Sequence, residues 1–336
     1  MLLYTPKTLD PALNLAREEY LLTTVKEPVV MFWRNSQSVI IGRNQNAYAE
    51  IDADFTERNG IAVIRRLTGG GAVFHDPGNL NYSFILPAGE GAAALDFGRF
   101  CRPVTEALRL LGAPAEISGR NDITVDGKKI SGTAQCVLNG ALLHHGTLLF
   151  SSDISKMEGA LRVDPEKMKA KGIKSVRSRV GNLSEYLPEI ADASELARRL
   201  CEILTSPGGG FENAAAAEES AEQTAGIEKL KAEKYGTWEW NFGKSRSFSK
   251  TVSAHFSFGR VTVGFDSDGG VITAASVDGD FFGTAPVSEL SEILVGTRLG
   301  REALLSALGG RSGKFISGAC DEDIVSLLLG GMKIER

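Results

Sequence analysis

At 336 residues the chain has room for two domains of about 150 residues each, which excludes a peptide or a disulfide miniprotein. Its 42 acidic residues outnumber its 37 Lys plus Arg, a net charge of −5 with 43% hydrophobic and 24% charged residues, an ordinary soluble balance that argues against a nucleic-acid partner. No apolar run approaches the roughly 18 residues that span a bilayer, and the scattered Cys101, Cys136, Cys201 and Cys320 form no CxxC pair, so the expectation is a cytoplasmic protein with no signal peptide and no membrane partner.

The first element is a helix over residues 10–24, with leucines at 13, 15, 21 and 22 and Asp10-Pro11 as its start, because proline suits the first helical position. Strand-like runs follow at Val29 to Trp33 and Ser38 to Gly42, around the turn residues Asn35 and Ser36. A third run, Ile61 to Arg66, leads into Thr68-Gly69-Gly70-Gly71, and Asn81 to Leu86 is a fourth. A helix is expected over Ala93 to Leu111. Ile123 to Val125 and Lys128 to Ile130 then flank Asp126-Gly127, the strongest hairpin signal in the chain because both turn positions favour positive φ. Ala141 to Phe150 is a further strand.

From Pro207 to Gly226 the chain reads PGGGFENAAAAEESAEQTAG, with too few large apolar residues to offset its chain entropy, and a flexible insert or linker is expected; a surface helix over Ala214 to Ala225 is the alternative. Beyond the aromatic group Trp238, Trp240 and Phe242, three runs (Thr251 to Phe258, Arg260 to Phe265, Val271 to Val277) predict a meander. Helical patterns at Val287 to Leu294, Arg301 to Leu308 and Asp321 to Leu329 complete what reads as a small α+β domain.

Three segments carry candidate chemistry. In Arg65-Arg66-Leu67-Thr68-Gly69-Gly70-Gly71-Ala72-Val73-Phe74-His75-Asp76, consecutive glycines would let backbone N–H groups approach an anion closely. It is not a Walker loop, since none of the Gly-Lys pairs at 127, 243 and 313 has a glycine five positions earlier. A flexible hairpin tip flanked by surface arginines fits the glycines equally well.

In the second segment, a two-residue Asp126-Gly127 loop pairs Val125 with Lys128, Thr124 with Lys129, Ile123 with Ile130 and Asp122 with Ser131. Alternation then puts Asp122, Thr124, Lys129 and Ser131 on one polar face, and Lys128 on the other with the three apolar residues. Lys129 is the candidate for chemistry, although a solvated edge lysine has the same signature. In the third segment, His144 and His145 would project to opposite faces of a strand, which argues against a shared metal. Cys136, beside Val137, reads as core.

Together these segments resemble the lipoate-protein ligase A family. The resemblance rests on RRLTGGGAVFHDPGNLNYSF at 65–84, GRNDITVDGKKISGTAQ at 119–135 and HHGTLL at 144–149, with PALNLAREEYLL and GRNQNAYAEID helping it to cover nearly the first 190 residues. TWEWNFGKSRSFS at 237–249 and DGDFFG at 278–283 resemble the family's junction and accessory domain. The implied fold is α+β: a mixed-sheet catalytic domain of the biotin/lipoate ligase type over 1–245, with 207–226 as insert, then an α+β accessory domain over 246–336. The implied activity is ATP-dependent adenylation of lipoate, followed by transfer of the lipoyl group to a lysine of carrier domains such as the glycine cleavage H protein and E2 subunits of 2-oxoacid dehydrogenases.

Carried over residue by residue, Lys129 bridges acyl and phosphate oxygens, and Arg66, Gly69, Gly70, Gly71, Ala72, Val73 and Phe74 hold the nucleotide. His145 and Gly70 join Lys129 at the lipoate, and Asp122 assists the Mg2+ expected with ATP. Val29, Phe32, Ile40, Val73, Phe84 and Leu148 are either a lining for the acyl chain or plain core. A cysteine-dependent octanoyl transferase of the same fold is the main rival, but its nucleophile lies upstream of the hairpin, where this chain has Pro114 and Ala115. A biotin-protein ligase differs in its glycine-arginine loop, and the intact Lys129 argues against a silent lipoate-binding module.

Overall fold

The computed structural model describes residues 1–87, 95–162, 179–243 and 248–330. It forms two compact units: Met1–Ile40, Glu50–Arg65 and Ala72–Asn241 make the first, and Ile41–Ala49, Arg66–Gly71 and Phe242–Arg336 the second. Residues 93 and 94 of the helix expected from Ala93, and the boundary at 245/246, lie outside the described residues.

The strands of the first unit are β1 (Leu2–Tyr4), β2 (Val29–Trp33), β3 (Ser38–Ile41), β4 (Ala62–Arg65), β5 (Val73–His75), β6 (Asn79–Leu86), β7 (Ala115–Ser118), β8 (Asp122–Val125), β9 (Lys128–Leu138), β10 (Ala141–Leu149) and β11 (Ala215–Ala216). Ile41, the last residue of β3, groups with the second unit. Eight strands form a mixed sheet in the order β11-β1-β2-β6-β10-β9-β8-β7, parallel at β11-β1-β2 and antiparallel beyond; β4-β3-β5 is a small separate sheet.

Period-two alternation on β6 divides the two faces of the large sheet. Leu80, Tyr82 and Phe84 enter the main core with Phe32, Leu142 and Leu148, against Phe100, Val104 and Leu108 of helix Phe97–Leu110 and Leu196, Leu200 and Leu204 of helix Ala193–Thr205. Asn79, Asn81 and Ser83 point the other way, toward the face crossed by helix Pro11–Thr24. That helix starts as expected: the Asp10 carboxylate accepts from the N–H groups of Ala12 and Leu13 at 2.9 and 3.1 Å.

The structure corrects the reading of Pro207 to Gly226 as a linker. Phe211 is buried and stacks on Phe84 with ring centroids 4.3 Å apart, and Ala215–Ala216 pairs in parallel with β1. Glu219 forms an ion pair with the buried Arg17, and a capping box of Ser220 and Gln223 starts helix Ala221–Leu230. Low apolar content concealed this because one aromatic ring and main-chain pairing hold the segment.

The second unit contains the expected meander, β12 (Lys250–Phe256), β13 (Gly259–Asp268) and β14 (Val271–Gly279), with a bulge at Asp266/Ser267. Val261, Val263, Phe265 and Ile272 bury against Leu290, Leu304, Leu308, Ile324 and Leu328 from helices Val287–Leu294, Arg301–Leu308 and Asp321–Gly330. Among the described residues no helix is long and apolar enough to cross a membrane.

Candidate active site

The Asp126-Gly127 turn is tight, with φ of +49° and +74°, as an aspartate-glycine hairpin requires. Val125 pairs with Lys128 and Thr124 with Lys129, as the straight register predicts. A bulge then intervenes, so Ile123 faces Ser131 and Asp122 faces Gly132, correcting the expected pairs Ile123–Ile130 and Asp122–Ser131. Ile130 is the extra residue and is fully buried; Ser131, only 1% exposed, leaves the polar face assigned to it. Lys129 and Asp122 do share a face: the Lys129 Nζ lies 2.7 Å from the Asp122 Oδ1, each side chain about a quarter exposed. Lys128 turns away to the exposed Glu185, 3.3 Å from its Oε2. The Lys129 backbone is bound on its other side, its N–H donating to the Arg179 carbonyl and its carbonyl accepting from Gly181 N–H.

Across the sheet this face is polar. Asn81 stands between Trp33 on β2 and Thr147 on β10, and the Thr147 Oγ1 accepts from the Gly132 N–H on β9. Two residues along, Ser83 stands between Met31 and His145. The Trp33 Nε1–H donates to Ser83 Oγ at 2.8 Å, Ser83 donates to Glu18 Oε1 at 2.6 Å, and the His145 Nδ1 lies 3.0 Å from the same carboxylate oxygen. A carboxylate accepting from Nδ1–H sets the imidazole's tautomer and orientation. Asn79 donates to Asn81 Oδ1, while the buried Asn81 Nδ2 has no hydrogen-bond partner among the described residues. A buried amide N–H left in this way suits a ligand acceptor.

Glu18, Ser83, Asn81 and Thr147 escaped the sequence reading. Glu18 did leave a signal: it stands between Leu15 and Leu22 at helical spacing, a charged residue on an apolar stripe. His144 points to the opposite face, among Tyr82, Phe84, Phe97 and Phe100, and burial pushes its imidazole well below its ordinary value. Phe32, Phe84 and Leu148, offered as an acyl-chain lining, belong to that core.

The glycine-rich segment lies in the second unit. A Cβ at Gly69 would come within 2.2 Å of the Phe281 carbonyl oxygen, and Gly70, at φ +90°, donates its N–H to the same oxygen. Gly69 therefore answers to the chain's own DGDFFG backbone, a requirement invisible in the local sequence, and Gly70 to its own positive φ. Arg66 is buried and its guanidinium donates to Thr68 Oγ1, Gly69 O and Gly71 O at 2.7–2.9 Å. Its neighbour in the basic pair acts elsewhere. In the first unit, Arg65 donates to the carbonyls of Trp240 and Asn241. Ala72, Val73 and Phe74 continue into β5, where Val73 pairs with Ile40 and the buried Phe74 with Val39.

Among the described residues no group of three or more His, Cys, Asp or Glu could hold a metal ion. Asp122 offers one carboxylate, which fits a magnesium ion that brings phosphate oxygens and waters as its other ligands. Cys136 is buried opposite Leu143, Ala115 is fully buried, and burial raises the Cys101 thiol and takes Cys201 to about 12, so these latter two hold no ready thiolate.

The lipoyl protein ligase A/B catalytic domain matches residues 10–205, and the bacterial lipoate protein ligase C-terminus matches residues 245–328. The lipoate-protein ligase LplJ of Bacillus subtilis (strain 168) is 40% identical over 324 residues, 95% of this chain and 97% of LplJ. Among solved structures, P. falciparum LipL1 in complex with lipoate has a TM-score of 0.78 over 98% of this chain and 99% of its own, a likeness of fold at 23% identity. A lipoate-protein ligase A bound with ATP is 29% identical, with a TM-score of 0.60 over 72% of this chain and 97% of that one.

Proposed function

The chain belongs to the lipoate-protein ligase family, and from that membership we propose how its residues activate lipoate with ATP and pass the lipoyl group to a carrier lysine. The observation that carries the residue-level reading is the Lys129 amine, held 2.7 Å from Asp122 on the polar face of the large sheet. In the first step a carboxylate oxygen of lipoate attacks the α-phosphorus of ATP and pyrophosphate leaves. In the second, the carrier amine attacks the acyl carbon, AMP leaves, and the ammonium proton is lost.

Negative charge grows on the α-phosphate oxygens during the first step, and a fixed cation there acts with no reorganisation cost. We assign that role to Lys129, which bridges the acyl and phosphate oxygens. Arg66, Gly69 to Gly71 and the backbone of Ala72 to Phe74 hold the nucleotide, and His145, aligned by Glu18, flanks the lipoyl group with Gly70. Asp122 is the carboxylate that would hold the Mg2+ accompanying ATP, an ion that would shield the phosphates and orient the pyrophosphate.

The carriers are lipoyl domains of the glycine cleavage H protein and of 2-oxoacid dehydrogenase E2 subunits, and the protein works in the cytoplasm, where its cysteines stay free. Residues 1–245 serve as the catalytic domain and 246–336 as the accessory domain. Incubation with lipoate, Mg2+-ATP and an apo lipoyl domain tests the reading: the carrier gains one lipoyl group and AMP is released. Carrier acylation without ATP, from an octanoyl donor and abolished by Cys136→Ala, contradicts it.

A further inference from the structure

Gly132 has no backbone reason to be glycine. It lies within β9 and its φ is outside the left-handed region where glycine is favoured. The volume a side chain would fill is occupied instead by Lys129: a Cβ built on Gly132 would lie 2.9 Å from the Lys129 Nζ, 3.0 Å from its Cε and 3.8 Å from the Asp122 Oδ1. The bulge opposite the Ile123–Thr124 step is what brings Gly132, rather than Ser131, opposite Asp122. The Gly132 N–H, bound to Thr147 Oγ1 at 3.3 Å, links this part of β9 to β10.

We propose that Gly132 is a positioning residue for the reaction: its absent side chain forms the berth in which the Lys129 amine lies against Asp122. The inference deepens the ligase reading and rests on it for the role of Lys129. Ordinary van der Waals contact begins near 3.4 Å, so any Cβ at this position displaces the amine. The displaced atoms are the far end of a flexible side chain, which can swing aside without moving the backbone. Substitution therefore disturbs the charge in the site and leaves the fold intact. Since a small displacement of a group that acts in the transition state lowers the rate of the chemical step, the loss falls on kcat and not on KM.

The test compares wild type, Gly132→Ala, Lys129→Ala and the double variant. In lipoate-dependent exchange of labelled pyrophosphate into ATP, Gly132→Ala loses at least tenfold in kcat, with KM for lipoate and ATP changed less than about twofold and a melting temperature within about 2 °C of wild type. Because Gly132 acts through Lys129, the double variant has the same residual exchange as Lys129→Ala alone. A second readout needs no catalysis: acylation of the Lys129 amine by an amine-reactive reagent, followed by mass spectrometry, rises several-fold in Gly132→Ala as the amine leaves Asp122. Wild-type exchange and unchanged Lys129 labelling in Gly132→Ala overturn the proposal, as does a further loss of exchange in the Lys129→Ala background. Absence of lipoate-dependent exchange in the wild type would instead sink the ligase reading, and the labelling result would then decide the berth alone.

Discussion

Gly69 and Gly132 each stand where a side chain would collide, but the obstacles differ in kind. At Gly69 the obstacle is a carbonyl oxygen of Phe281, 2.2 Å from where a Cβ would be, which belongs to a backbone held by its own hydrogen bonds. At Gly132 it is the tip of a lysine. Backbone cannot retreat without unmaking a turn, whereas a lysine tip moves through its own rotamers. The same residue type thus protects loop structure in one region and the placement of a charge in the other.

The largest effect expected from disturbing the second region is that of Lys129→Ala. Adenylation falls more than tenfold, and about a hundredfold, or ~2.7 kcal/mol, if the amine contributes as a single fixed electrostatic group commonly does. Gly69→Ala tests the first region: overpacking against a carbonyl lowers unfolding free energy by about 1–3 kcal/mol in urea melts. Unchanged stability in Gly69→Ala, or a comparable destabilisation in Gly132→Ala, would erase the contrast between the two glycines.

The two faces of β10 extend the comparison. Burial holds His144 well below its ordinary value of 6.5, so the folded protein keeps it neutral where the unfolded chain takes up a proton. Its contribution to stability is present above pH 6.5 and is lost as pH falls below it, with a limiting slope of about 1.4 kcal/mol per pH unit. Urea melts between pH 6.5 and 5 should show a shallower loss in His144→Phe than in the wild type; identical slopes would mean that His144 does not titrate in the unfolded chain alone. The smallest effect is expected from Lys128→Ala, which removes only an exposed pair with Glu185: exchange changes less than twofold and stability by about 0.5 kcal/mol or less.

Much of the hairpin was legible because local rules govern it. Asp-Gly fixes a tight turn, period-two alternation brings Lys129 and Asp122 to one face, and the same alternation sends His144 and His145 apart. The bulge was not legible, since an extra residue leaves the turn sequence unchanged and shows only in which strand atoms pair. Glu18 required knowing which face of the sheet its helix crosses. The glycines at 69 and 70 suit an approaching anion in sequence, but what adjoins them is not legible there: the Phe281 carbonyl at Gly69, and the Arg66 guanidinium and Phe282 ring at Gly70. Phe211 was hidden by its polar surroundings, and nothing in the composition of Ala215 and Ala216 marks a strand, because their main-chain groups do the pairing. Arg65 and Arg66 look alike as a basic pair, and only their partners separate a strand-anchoring residue from one that shapes a loop.

The most direct measurement is lipoate-dependent exchange of labelled pyrophosphate into ATP, without carrier protein, by wild type, Lys129→Ala and Lys128→Ala in parallel. Exchange should require lipoate, be lost with Lys129 and survive the loss of Lys128. Equal loss in both variants, or full exchange without Lys129, would contradict the assignment of adenylation chemistry to the Lys129 face of the hairpin.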